Sequence, residues 1–445
     1  MTSRGARDAA CAVALALALC APACAPQVTR LTGRDAAQVW QATAEASQPP
    51  PAEAATAWDA ARLARRALDR DPAIRALRAE TRAVEAGVDA ARRREDLELR
   101  LSRFRLDDVR DGTTGLEVAL RAHPLRPREI PARAASARLE AEVARAELRQ
   151  AELALVAEVR RLHADLVLAD EEARIAREEQ ALRAEEQSLA AARLAQGAGT
   201  ALDVALTELS RAELVADAEL PEEARDAAAR ALRAHLGLAP GAPLELAGPP
   251  GGTQLEAAPP ADPEALVDEA LQSHPALARA ASRLDGADIA LWRARAERIP
   301  WFSFVQAEYD VGPASDALSF GFALGIDIPL WRWAGADLRV ARAERTRRRY
   351  AWEAEVSRVA TGVAAAWGAV RSATERLRRV ESVLLPAAQA ADEQARLARA
   401  QGALDPMRAL QIQTARLRAR RLHVAARREL AHALVALDEA LGRLP

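Results

Sequence analysis

Between Ala132 and Gln196 the chain contains neither proline nor glycine. A stretch of that length without a helix breaker has one economical solution, a single helix of roughly 100 Å at 1.5 Å per residue. A helix that long must be supported along its length, because isolated helices are marginal in water. The apolar spacing shows where the support lies. Leu155, Val159, Leu162 and Leu166 keep a 4-3-4 spacing, and Leu168, Ile175, Leu182 and Leu189 continue at sevens. A second such stretch runs from Arg342 to Leu384. There Val356, Val363, Val370, Leu377 and Leu384 fall at sevens, with Val359, Ala366, Ala373 and Val380 running beside them. These are a/d seams of helices packed lengthwise on other helices. Leu385-Pro386 is expected to interrupt the second seam. Helical composition then resumes to Arg399, and Gln401-Gly402-Ala403-Leu404-Asp405-Pro406 turns the chain. The returning helix carries Leu410, Leu417 and Val424, again at sevens.

Composition agrees with long helices. Half the 445 residues are apolar, only 3% are aromatic and 28% are charged. Lys and Asn are absent, which reads as codon bias. A net charge of -2, with Arg interleaved among Glu and Asp, gives no footprint for nucleic acid. Cys11, Cys20 and Cys24 all fall at the start, so the body of the chain can hold no disulfide and no thiolate metal site. His123, His163, His235, His274, His423 and His432 include no pair at i,i+3 or i,i+4 ligand spacing, and read as isolated surface or packing residues. No phosphate-binding glycine loop and no nucleophile-base-acid set is present. No enzyme, cofactor or metal site is expected.

Residues 1–23 read as an export signal: Arg4 and Arg7, the apolar run Ala9 to Cys20, then Ala21-Pro22-Ala23. The run is too short to span a bilayer as a helix. Cleavage would leave Cys24 first, which resembles a bacterial lipoprotein signal whose thiol is acylated. That signal prefers Leu where Ala21 stands, and plain secretion is the other reading. Residues 24–57 form an extended or loosely packed arm, lipid-anchored if Cys24 is acylated, containing Pro49-Pro50-Pro51.

From Trp58 a pattern unfolds twice. Asp71-Pro72 starts a helix, Asp as N-cap and Pro at the first position, which runs to about Glu95. Leu97, Leu99 and Leu101, then Leu116, Val118 and Leu120, alternate with polar or small residues as two strands about Asp111-Gly112. The long helix follows, Gly197-Ala198-Gly199-Thr200 turns it, and a helix returns to about Leu236, interrupted at Pro221. Residues 239–263, rich in Pro and Gly, mark the boundary. Then His274-Pro275 takes the place of Asp71-Pro72, and strands Trp301 to Tyr309 and Leu318 to Leu330 precede the second long helix. Pro72 and Pro275 are 203 residues apart, and Gly197 and Gly402 are 205 apart. Residues 58–238 and 264–445 are therefore two copies of one helix-strand-strand-long helix-helix unit. The class is mainly α with a small β part.

Each copy supplies two strands. Four strands cannot close a barrel around a pore, but three chains pooling theirs would give 12. The apolar side of Leu318 to Ile328 is long enough to cross a bilayer core when tilted. A soluble sheet buried on one side has the same periodicity, and both readings stand at this point. Trp301, Tyr309, Trp331 and Trp333 flank the second pair of strands as an interfacial belt or as core packing.

In this order the chain resembles the TolC-like outer-membrane factors over nearly all of its mature length. The resemblance rests on Leu68-Asp69-Arg70-Asp71-Pro72 and Leu271-Gln272-Ser273-His274-Pro275, and on Pro124-Leu125 and Pro329-Leu330. It rests also on Arg193-Leu194-Ala195-Gln196-Gly197, on Ala400-Gln401-Gly402 and on Leu236-Gly237-Leu238. It implies a homotrimeric exit duct, with a 12-stranded transmembrane β-barrel in outer-membrane lipid above a periplasmic α-barrel of coiled-coil hairpins. It implies a periplasmic adaptor and an inner-membrane transporter of the RND type as partners. It places the periplasmic entrance and adaptor-docking tips at Gly197, Gly199, Asp203, Gly402 and Asp405. Asp203 and Asp405 would then line the entrance as carboxylate rings, while Asp405 before Pro406 also reads as a plain helix cap. Pro329-Leu330-Trp331-Arg332-Trp333-Ala334-Gly335 looks most like the heavy-metal branch. A pore-less periplasmic adaptor or scaffold is the alternative function. It accounts poorly for two hairpins and four amphipathic strands. An unrelated cytoplasmic coiled coil leaves the export signal unexplained.

Overall fold

The computed structural model describes residues 31–46, 58–106, 113–246, 262–311, 319–401 and 403–443. The export segment with Cys24, the Pro49-Pro50-Pro51 run, the turn at Asp111-Gly112, most of the linker, Leu318 and Gly402 lie outside the described residues. Part of the arm is not extended: α1 (Gly33–Ala46) is an exposed helix. The overlooked signal is Asp35, whose carboxylate accepts from the backbone N–H and the hydroxyl of Thr32.

The first repeat comprises α2 (Ala60–Arg70), α3 (Pro72–Ala90), β1 (Glu98–Leu106), β2 (Thr113–Ala122), α4 (Glu129–Ala195) and α5 (Ala201–His235). The second comprises α6 (Pro263–Ser273), α7 (Pro275–Ala296), β3 (Trp301–Val311), β4 (Ser319–Asp327) and α8 (Ala336–Arg379). After a π-turn at Val380–Leu384 come α9 (Leu385–Ala400) and α10 (Pro406–Leu441). The paired helix starts are built alike. Asp71 Oδ1 accepts from the N–H groups of Ala73 at 2.8 Å and Ile74 at 3.0 Å. His274 Nδ1 accepts from Ala276 N–H at 3.2 Å.

Three expected boundaries differ. The α3 helix ends at Ala90, not near Glu95. The α5 helix passes through Pro221 without a break. A mid-helix proline forfeits one hydrogen bond, but Leu232 and Leu236 beyond it are fully buried and hold the helix on line. Pro386 likewise does not break the second rod. The Leu385 N–H bonds back to the Val380 carbonyl, five residues away. This one wide turn takes up the misfit that a proline ring causes in an α-helix.

Three apolar clusters hold the helices. Leu63, Leu155, Val159, Leu162, Leu232 and Leu236 form the first, with Trp58 on its flank. Ala242, Leu244 and Leu246 pack on it, and Leu246 bridges Trp58, so residues 239–246 of the expected linker lie on the first repeat. Val359, Val363, Val370 and Leu377 of α8 meet Leu430, Leu437 and Leu441 of α10 in the second. The third joins the repeats: Leu168, Ile175 and Leu182 of α4 meet Leu410, Leu417 and Val424 of α10. Ion pairs flank that seam, among them Arg427 to Glu171 at 3.0 Å and Arg428 to Glu172 at 2.8 Å. At its far end the charges reverse, with Arg160 of α4 on Asp438 at 2.8 Å.

The four strands make one antiparallel sheet in the order β1-β2-β3-β4. The β2–β3 pairing joins the repeats, with Val118 opposite Tyr309 and Leu120 opposite Ala307.

Candidate functional site: the hairpin tips and the two-faced sheet

At the first tip, Gly197 takes a left-handed φ of 70°, the conformation a glycine provides at a helix end. Gly199 is needed for space, since a Cβ there would lie 3.1 Å from the Leu194 nitrogen. Thr200 then caps α5 in a reciprocal box. Its N–H donates to Asp203 Oδ2 at 2.9 Å, and the Asp203 N–H donates to Thr200 Oγ1 at 3.2 Å. So Asp203 is the third residue of the first turn and is spent on a cap. The N–H and hydroxyl of Thr200 hold its exposed carboxyl below the usual range, so it carries charge in neutral solution.

Asp405 also caps: its Oδ1 accepts from Met407 N–H at 3.4 Å. It has a second partner that the sequence did not reveal. Arg193 Nη1 lies 2.8 Å from Asp405 Oδ1 and 3.0 Å from Oδ2. This pair ties the end of α4 to the start of α10 and puts both hairpin turns at one end of the molecule. Thus Gly197, Gly199, Asp203 and Asp405 are brought together there. Cys24 and Gly402 lie outside the described residues. The repeat offset gives no hint of Arg193, because Ala398 stands at the equivalent place in the second hairpin.

The sheet lies beyond the other end of the long helices, and its faces differ in chemistry. Pairing aligns Leu99 with Leu120, Leu120 with Ala307 and Ala307 with Phe322. It also aligns Leu101, Val118, Tyr309 and Phe320 in one row. This apolar face is bare: Phe322 is 83% exposed and Phe320 71%. Among the described residues nothing covers that face, which goes against the reading of a soluble sheet buried on one side. The opposite face carries Glu98, Arg100, Ser102, Glu117, Arg121, Gln306 and Glu308. Trp331 is 90% exposed, which excludes core packing for it. The Trp301 and Trp333 indoles donate at 2.8 Å to the carbonyls of Pro124 and Arg298.

Among the described residues no group of three His, Cys, Asp or Glu is placed to hold a metal ion. No described helix is long and apolar enough to cross a membrane.

Two long helical hairpins thus meet near their tips, and a two-faced sheet lies at their far end. Residues 266–443 match the sequence model of the family described as outer membrane efflux protein. The fold matches the outer-membrane channel OprN at TM-score 0.71 with 22% identity, covering 86% of this chain and 89% of that one. It matches the MtrE outer-membrane channel of Neisseria gonorrhoeae, in its open state, at 0.69 with 18% identity, covering 86% and 88%. It matches CusC, solved in a study of folding and transmembrane channel formation, at 0.69 with 16% identity, covering 85% and 91%. No curated protein sequence matches. The family match thus lies in the second repeat, while the fold of these outer-membrane channels extends over 86% of the chain.

Proposed function

We propose that the protein is the outer-membrane exit duct of a tripartite efflux pump. The observation that carries this reading is the four-stranded sheet with a bare apolar face, a polar opposite face and two unpaired edges, β1 and β4. Free edges and an uncovered apolar face are liabilities in water. Both disappear if three chains close a 12-stranded barrel in lipid. The helical hairpins then form a tunnel through the periplasm, with their tips at the entrance. Gly197, Gly199, Asp203, Gly402 and Asp405 belong to that entrance, where a periplasmic adaptor docks. Acylation of Cys24 anchors the arm to the same membrane. The duct conducts passively and hydrolyses nothing. Energy comes from an inner-membrane transporter, in this reading of the RND type, and the cargo is heavy-metal cations or drugs.

Fractionation and electrophysiology test this. The mature protein is expected in detergent extracts of the outer membrane as a trimer that gives single-channel conductance. A soluble, non-conducting monomer would refute the duct. A deletion strain challenged with metal salts, drugs and dyes then identifies the cargo, and unchanged metal tolerance would remove the metal reading.

A further inference from the structure

The polar face of the sheet has a construction that a duct does not by itself require. Pairing places Phe304 opposite Gly325, Gln306 opposite Ala323 and Glu308 opposite Gly321. On the other side of β3, Arg121 lies opposite Gln306 and Ala119 opposite Glu308. Large residues thus meet small ones across β3 and β4, while Arg121 and Gln306 lie side by side across β2 and β3. The large side chains lie along the wall. The Arg121 guanidinium sits 4.3 Å from the Phe304 ring centroid, a cation–π distance. Arg121 Nε donates to Gln306 Oε1 at 2.8 Å, and Gln306 Nε2 donates to Glu308 Oε2 at 2.9 Å. Gln306 is only 5% exposed on a face that no other element covers, because its own neighbours blanket it.

The glycines are the seats of this arrangement. A Cβ at Gly321 would stand 2.7 Å from Glu308 Cγ, and one at Gly325 would meet both Ser303 Oγ and the Phe304 ring, 2.6 Å from its Cδ1. Neither spacing is tolerable between carbon atoms, whose optimum is about 3.5–4.0 Å. Any side chain at Gly321 must therefore lift Glu308 off the wall, and any at Gly325 must displace Phe304 together with Ser303.

We propose that Arg121, Phe304, Gln306 and Glu308 form a flat inner lining that sets the bore of the duct at the level of the sheet. Gly321 and Gly325 keep Glu308 and Phe304 out of the lumen. The proposal rests on the duct reading, in which the polar face lines a water-filled passage. In a closed trimer each lifted side chain appears three times around one ring, so a single substitution narrows the passage from three sides.

The test is unitary conductance of purified trimers in planar bilayers. Gly321→Leu and Gly325→Leu are each expected to lower conductance about twofold or more, because conduction follows the free cross-section of the pore. Removing the lifted group is expected to restore it, in Gly321→Leu/Glu308→Ala and, with Ser303→Ala as the background, in Gly325→Leu/Phe304→Ala. Gly286→Ala is the control: it lies in α7, where an added Cβ meets nothing within 4 Å, and should conduct as the parent does. If a leucine variant does not assemble, the alanine variant at that glycine carries the test, since the Cβ alone produces the clash. Assembled single variants that conduct as the parent does would overturn the lining. So would double variants that stay as low as the singles. A parent protein with no conductance would instead overturn the duct, and the lining with it.

Discussion

In the first repeat the long helix α4 runs unbroken for 67 residues. In the second, α8 and α9 cover a similar distance with a π-turn between them. The difference follows from position. The α4 helix is central: Leu155, Val159 and Leu162 face the first core, while Leu168, Ile175 and Leu182 face α10. It is held from several directions and has no single apolar face. The α8 helix is peripheral, with Val359, Val363 and Val370 on one buried side and Val340 and Tyr350 exposed. Below its π-turn the leucine seam runs out, and what α9 buries is Asp392 and Ala395. One inherited pattern thus gives a rigid stave where it is enclosed and a more lightly held one where it is not. The sevens of the second long stretch also have a partner. The seam from Val356 to Leu377 packs on its own returning helix, while the sevens of that helix at Leu410, Leu417 and Val424 cross to the other repeat.

The comparison can be broken most directly in the cores. Ile175→Ala, at a fully buried site in the cluster that joins the repeats, is expected to cost about 2–5 kcal/mol. Tyr350→Ala, on the exposed side of α8, is expected to stay within about 0.5 kcal/mol. Denaturant unfolding in detergent measures both, and equal costs would end the distinction between central and peripheral helices. Asp392 tests the lower half of the second hairpin. It is buried, with Arg396 at 2.7 Å and Arg416 at 3.1 Å. Both arginines reach solvent and can rehydrate, so Asp392→Ala is expected to cost about 1–2 kcal/mol. Hydrogen exchange should rise in α9 and not in α4.

The two helix starts give a smaller and pH-dependent contrast. Asp71→Ala is expected to cost about 1 kcal/mol as a lost N-cap. His274 caps through Nδ1, which accepts only while unprotonated, and burial pushes its pKa below the ordinary 6.5. The unfolded chain therefore binds a proton first as pH falls. Stability from this site is full above about pH 6.5 and declines as pH drops through the lower folded value. His274→Asp keeps the cap and should flatten that part of the stability curve, and a curve that does not change would remove the histidine from the account. Smallest is the ionic edge of the α4–α10 seam. A double-mutant cycle on Arg427 and Glu171 should show coupling of about 0.5 kcal/mol, weakening with salt.

Much of this architecture was legible in the chain because its signals are local. Asp71-Pro72 and His274-Pro275 cap helices with their own side chains, and Gly197 turns with its own φ. Alternation along Phe320, Phe322, Leu324 and Ile326 put those residues on one face before any partner strand was known. Misreadings came where a local rule met distant packing. Pro221 and Pro386 read as breaks, yet both rods continue. Asp203 reads in the sequence as a carboxylate of the entrance. It is the second half of a capping box, visible in Thr200 and Asp203 three apart and overlooked.

The sequence by itself determined the order and type of the main elements, their duplication and which side of each strand is apolar. Those properties depend on torsional preference and periodicity within a few residues. The tertiary structure alone decided which seam meets which. It joined Leu410, Leu417 and Val424 to the opposite repeat, set β2 beside β3, linked Arg193 to Asp405 and laid Phe304 and Glu308 over Gly325 and Gly321. These pairings join residues far apart in the chain. Their choice depends on shape and charge fit between surfaces that exist only after the elements have formed.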